Sequence, residues 1–263
     1  MASIFPFSVD PVLIGMVHLD ALPGAPDFCG DMAQVVDHAA ADARVLAEAG
    51  FDGVMVENFY DAPFYKDDLP PETIAGLTRC ALAVAEAAPG LVLGINALRN
   101  DALAALGIAA VVGARFIRVN VLTGAMVTDQ GLIEGRAAQV IRRRAALGLP
   151  VAVFADVAVK HAAPLAALDL AQSARDMVYR GKADALVVSG TGTGEPTPPG
   201  RLHTVRAAVP GVPVFVGSGV RAQTVDARAA DGFIVGTALK RAGRVDPERA
   251  RAVRAAITPA ADS

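Results

Sequence analysis

Residues 213–240 read PVFVGSGVRAQTVDARAADGFIVGTALK, and their reading decides the fold. Two short runs, Pro213 to Val216 and Gly232 to Val235, each stop at a glycine and enter a small-residue turn, Gly217-Ser218-Gly219 and Gly236-Thr237. Runs rich in β-branched and aromatic residues and bounded by glycine read as strands. Each turn is expected to open a helix. Glycine lets backbone N–H groups approach an anion closely, Ser218 and Thr237 can add hydroxyl donors, and helix N-termini carry partial positive charge. One such turn is ordinary strand-to-helix chemistry. Two with matching polar residues read as a phosphate cradle. In a (β/α)8 barrel the usual phosphate site lies on the loops after the last two strands, so a cradle near the end of a 263-residue chain predicts that architecture upstream.

The rest of the chain agrees. Strand-like segments fall near residues 12–17, 53–57, 91–96, 115–120, 151–156, 185–189, 213–217 and 232–236, and helical stretches alternate with them. Asp31 to Gln34 resembles a capping box, Pro71-Glu72 starts the next helix, and further helices are expected over Ile133 to Leu147 and Leu165 to Tyr179. The stretch VLTGAMVTDQG, residues 121–131, reads as a loop. Eight strands alternating with eight helices imply a parallel sheet, and that count favours closure into one barrel domain over residues 1–263. A doubly wound sheet is the rival. The first strand-to-helix turn, HLDALPG, lacks the G-x-G-x-x-G fingerprint such a sheet would use for a dinucleotide, and no cofactor is expected.

Composition narrows the function classes. Apolar residues come in short runs, with no span of the roughly 20 residues that a membrane helix needs. The start, MASIFPFSVDPVLIG, has no basic segment ahead of an apolar block, so no secretory signal is expected. Cys29 and Cys80 form no recognisable framework, which fits a cytoplasmic protein. A net charge of −3 gives no broad basic surface for nucleic acid, and Arg142 to Arg144 read as a solvated helix face. Base rates alone make a dimer or larger symmetric homo-oligomer the expectation.

Polar residues wait at the C-terminal end of each strand: His18, Glu57 with Asn58, Asn96 with Arg99, Asn120, Asp156, Ser189, Ser218 and Thr237. Stability needs no ring of polar groups at one rim, whereas barrel enzymes place their chemistry there. Asp156 is the first choice for a general acid or base, with a salt bridge to Lys160 or Arg118 as its competing reading. Glu57 is second. His18 titrates near neutrality and can assist, and Lys160 reads as a carboxylate's partner ahead of a desolvated nucleophile. Asn58, Asn96, Arg99, Asn120 and Asp129 are candidates to orient a substrate; Ser189 and Thr191, in the loop SGTGTG, are candidates to touch it. His18, Glu57, Asp156 and His161 are metal-ligand types, but without H-x-H or H-E-x-x-H spacing no metal is expected. With no G-x-S-x-G elbow, a serine hydrolase is weaker still.

The motifs IGMVHLDALPGAP, DGVMVENFYDAPF, GINALRND, ARFIRVNVLTGAMVTDQG, VFADVAVKHA, ADALVVSGTGTG, VFVGSGV and DGFIVGTALK, in that order, resemble the BtpA/SgcQ family from Ile14 to Lys240. The resemblance implies a barrel of the ribulose-phosphate-binding kind. One branch of that family is associated with photosystem I biogenesis, another sits with sugar-utilisation genes, and members are often labelled as resembling phosphoribosylanthranilate isomerase. That isomerase chemistry uses a cysteine at the end of the first strand as base and an aspartate across the barrel as acid. Here His18 ends the first strand and Cys29 lies deep in the loop, so a related transformation of a phosphorylated sugar or nucleoside-like compound is expected. The alternative is a non-catalytic factor assisting photosystem I biogenesis.

Overall fold

The computed structural model describes residues 4–157, 159–190, 192 and 195–257. Eight parallel strands close into a barrel in the order β1, β11, β10, β9, β7, β4, β3, β2. These are β1 (Val12–His18), β2 (Gly53–Glu57), β3 (Val92–Asn96), β4 (Phe116–Val119), β7 (Ala152–Val157), β9 (Ala185–Val188), β10 (Val214–Val216) and β11 (Gly232–Val235). The helices α1 (Met32–Glu48), α2 (Pro71–Ala87), α3 (Ala102–Val112), α4 (Ala137–Ala146), α5 (Leu170–Arg175), α6 (Pro199–Ala208) and α7 (Pro247–Ile257) complete the framework. Asp31 caps α1 through its carboxylate, which accepts from the N–H groups of Ala33 and Gln34, and Asp101 caps α3 in the same manner.

Strand residues alternate between two environments. One set, including Val17, Val54, Val56, Ile95, Ile117, Val153 and Leu186, packs outward with the helices. The other, Val12, Ile14, Met16, Met55, Phe116, Ala152, Phe154, Ala185, Val187, Phe215 and Ile234, fills the barrel interior. Large and small side chains interlock there. A Cβ on Gly94 would lie 2.2 Å from the Phe116 ring, and one on Gly232 would lie 2.3 Å from Phe215, so both glycines vacate room for an aromatic neighbour. At the N-terminal mouth, Phe5 stacks on Phe154 at 5.9 Å and Phe7 tilts against Phe116 at 5.8 Å. Residues before β1 thus stopper the barrel.

Four expectations require correction. The segment 121–131 is not a plain loop: β5 (Ala125–Thr128) and β6 (Gly131–Glu134) form a hairpin, and β8 (Ala162–Pro164) adds to it as a three-stranded sheet beside the barrel. Consequently α4 starts at Ala137 rather than near Ile133. The helix expected over Leu165 to Tyr179 is shorter, with α5 running into a π-helical turn at Asp176–Arg180. No α-helix begins directly at either glycine turn among the described residues. Between β10 and β11 the chain makes successive turns, with Val225 N–H donating to Arg221 O and Arg228 N–H to the Asp226 carboxylate. Here an aspartate side chain competes with helix for backbone donors. After Gly236 there is only a single 3-10 turn, Thr237–Leu239, leading to the small hairpin β12 (Lys240–Arg241) and β13 (Arg244–Val245).

Candidate active site

Strand register builds the first part of the site. His18 is the Cα partner of Glu57, and Glu57 is the partner of Asn96, so three neighbouring strands end in one polar row. Each occupies the interior position two residues beyond an interior core position, as Met16 precedes His18 and Met55 precedes Glu57. The Asn96 amide donates to Glu57 Oε2 at 2.5 Å, and His18 Nε2 lies 3.8 Å from Glu57 Oε1. Phe59 stacks flat on the imidazole at 4.1 Å. Burial pushes His18 well below its ordinary value, and the positive charges of Lys240, Lys160 and Arg118 add to that. Burial raises Glu57 against the opposing pull of Arg118 and Lys160. Both shifts favour neutral forms, so the close approach of imidazole and carboxyl is a polar contact rather than an ion pair.

On the far wall, Arg118 grips Asp156 with two hydrogen bonds, Nε to Oδ2 at 2.9 Å and Nη2 to Oδ1 at 2.7 Å. Asn120 donates a third, also to Oδ2, at 2.8 Å. Burial opposes the Arg118 charge, but the Asp156 carboxylate outweighs it and the guanidinium is raised overall. The competing reading of Asp156 is therefore the one observed: its carboxylate anchors Arg118. With its amide nitrogen committed to Asp156, Asn120 turns Oδ1 the other way, and that buried oxygen has no hydrogen-bond partner among the described residues.

A cavity of about 800 Å3 joins these walls. Its lining includes His18, Glu57, Asn96, Arg99, Arg118, Asn120 and Lys160, together with Gly217, Ser218, Gly219, Gly236 and Thr237 from both glycine turns. Gly236 abuts the row directly, since a Cβ there would meet His18 Cε1 at 3.1 Å. The N–H groups of Ser218 and Gly219 donate to no acceptor among the described residues. The Ser218 hydroxyl is committed elsewhere: it accepts from Gly190 N–H at 2.6 Å and donates to Glu195 O at 3.0 Å, tying the neighbouring loop to the turn. Thr237 is exposed at the cavity wall.

Other predicted residues sit apart. Asn58 spends its amide on Leu98, accepting from N–H at 2.8 Å and donating to the carbonyl at 3.2 Å, which braces two loops instead of facing the cavity. Asp129 is exposed at the tip of the β5–β6 hairpin, bonded to Gln130. Ser189 is buried beside Gly217, outside the cavity lining, and its Oγ has no hydrogen-bond partner among the described residues. Thr191 lies outside the described residues. Arg221, Arg249 and Phe59 line the cavity and were not singled out from sequence. Arg249 carried a signal: a basic residue in the first turn of α7 opposes the helix dipole, so its position asks for another explanation. Among the described residues no group of three or more His, Cys, Asp or Glu side chains is placed to hold a metal ion. No described helix is long and apolar enough to cross a membrane.

In fold, the chain is similar to (S)-3-O-geranylgeranylglyceryl phosphate synthase from Thermoplasma acidophilum, solved with sn-glycerol-1-phosphate, at TM-score 0.62 and 17% identity, covering 95% of this chain and 94% of that one. It is likewise similar to phosphoribosyl anthranilate isomerase from Thermus thermophilus, at TM-score 0.56 and 15% identity, covering 94% and 98%. In sequence it is 44% identical over 245 residues to the photosystem I biogenesis protein BtpA of Synechocystis sp., covering 91% of this chain and 84% of the relative. The BtpA family model matches residues 9–258, and the chain belongs to the BtpA family.

Proposed function

We propose that this barrel is an enzyme acting on a phosphorylated sugar or nucleoside-like small molecule by proton transfer, with Glu57 as the acid and base. One observation carries the reading: both glycine turns and the His18, Glu57, Asn96 row open on the same cavity. The phosphate is held by the Ser218 and Gly219 N–H groups, the Thr237 hydroxyl and the nearby Arg221 and Arg249, without the two helix dipoles expected from sequence. Glu57 replaces Asp156 as first choice, because its carboxyl faces the cavity and burial raises its proton affinity, whereas Asp156 is committed to Arg118. Neutral His18 and Asn96 hold the Glu57 carboxyl in place, and Arg99 and Asn120 orient the substrate. A handle remote from the reacting carbon supplies binding energy for that orientation. The fold neighbour solved with sn-glycerol-1-phosphate fits this picture.

The name of the Synechocystis relative favours a second reading, a factor assisting photosystem I biogenesis. Such a factor has no need of the buried carboxyl and unpartnered amide oxygen inside the barrel. A thermal-shift series with inorganic phosphate, glycerol phosphate and ribose 5-phosphate separates the two. A site ligand at a hundredfold excess over its Kd adds about 2.7 kcal/mol of stability, and the absence of any response would favour the second reading.

A further inference from the structure

We propose that Lys160 is a covalent nucleophile, whose amine condenses with the carbonyl carbon of the phosphorylated substrate to form an imine. This rests on the reading of the cavity as a phosphosugar site. The chain has four lysines, Lys66, Lys160, Lys182 and Lys240. Lys66 pairs with Asp67 at 3.7 Å and Lys240 with Asp42 at 2.9 Å. Lys160 is the lysine on the cavity wall, half-buried, and its ammonium makes no ion pair among the described residues. The carboxylates that influence it are already committed. Asp156 is held by Arg118 and Asn120, and Glu57 is bonded to Asn96. The backbone carries Lys160 into place through its carbonyl, which accepts from Arg99 Nη2 at 2.6 Å.

The surroundings favour the neutral amine that attack requires. Burial lowers Lys160 from the usual lysine range, and the guanidiniums of Arg118 and Arg99 add to it against Asp156 and Glu57. The bookkeeping is complete without a co-reactant. The nitrogen lone pair forms the C–N bond, the carbonyl oxygen takes one proton from the Glu57 carboxylic acid and a second from the attacking nitrogen, and it leaves as water as the nitrogen lone pair closes the protonated imine. That imine withdraws electrons from the adjacent carbon, and the Glu57 carboxylate, now without its proton, removes one there to give an enamine. Asn120 Oδ1, buried, unpartnered and fixed in direction by the bond to Asp156, is the acceptor for a substrate hydroxyl. Isomerisation or carbon–carbon bond cleavage of a hydroxylated aldehyde or ketone phosphate are the reaction classes this arrangement serves.

The test traps the imine. The full chain is incubated with dihydroxyacetone phosphate, glyceraldehyde 3-phosphate or ribose 5-phosphate and sodium cyanoborohydride, and adducts are located by peptide mass spectrometry, with thermal shifts measured on the same samples. The expected result is one adduct per chain at Lys160, suppressed by excess inorganic phosphate and lost in both Lys160→Met and the charge-conserving Lys160→Arg. Equal labelling of Lys66, Lys182 and Lys160 would overturn the proposal. So would a thermal shift without an adduct, which leaves the phosphate site standing and makes Lys160 an electrostatic contact. No shift and no adduct with any of the three probes overturns both readings together.

Discussion

The two ends of the barrel interior are built from the same strands and differ by a two-residue step along each. Met16 gives way to His18, Met55 to Glu57, Phe116 to Arg118, Phe154 to Asp156 and Ile234 to Gly236. The lower layers are apolar and buried, closed by Phe5 and Phe7. The upper layer is polar and opens on a cavity of about 800 Å3. Alternation along a strand costs nothing to extend, so one register supplies both a stabilising core and a set of converging functional groups. The difference teaches that the packed core and the polar, cavity-facing groups are separated by height in the barrel, with the Arg118–Asp156 pair as the boundary between them.

The largest expected effects test that boundary. Phe154→Ala removes the ring shared by Phe5, Phe116 and Phe215, with an expected loss of about 3–5 kcal/mol in urea unfolding and an unchanged response to phosphate. Loss of the phosphate response in a variant that still folds would show that the two ends are not separate. Arg118→Met should cost about 3–5 kcal/mol by leaving the Asp156 carboxylate buried with Asn120 alone, and Arg118→Met combined with Asp156→Leu should recover most of that. If the double variant is as unstable as the single, the pair does more than neutralise itself.

A smaller effect of opposite sign is expected from Glu57→Gln. The folded state raises the Glu57 value, so ionisation is penalised in the native protein. The penalty is absent below the unfolded value of about 4.5 and complete above the folded one. Glu57→Gln should therefore melt at the same temperature as the wild type near pH 4 and above it at pH 8, while abolishing turnover. His18 behaves oppositely, losing stability for the fold as pH falls below 6.5, but it is present in both proteins and cancels in the difference. A melting-temperature gap that shrinks as pH rises would contradict the neutral-carboxyl reading.

The barrel was legible because its strands are short apolar runs ended by glycine or a polar residue, a signal local in sequence. The polar rim was legible for the same reason. What the sequence hides is which member of a neighbouring pair faces inward: Glu57 and Asn58 read alike, but alternation sends Glu57 to the cavity and Asn58 to brace Leu98. The fate of Asp156 is set by Arg118, which is 38 positions away and is delivered only by strand pairing. The hairpin at Ala125–Thr128 and Gly131–Glu134 left a weak trace, an Asp-Gln turn before Gly131, among residues too few to show a strand period. That Lys160 makes no ion pair among the described residues left no sign in the sequence, where Asp156 and Glu57 are both available to it; Arg118, Asn120 and Asn96 engage them instead.

The phosphate handle itself is tested most directly at Thr237, an exposed side chain on the cavity wall whose replacement disturbs no packing. Calorimetric titration of inorganic phosphate and ribose 5-phosphate into wild type and Thr237→Glu should show saturable binding to the first and none to the second, with unchanged circular dichroism. Equal affinity in the two proteins would place any anion site away from the glycine turns and would contradict the handle.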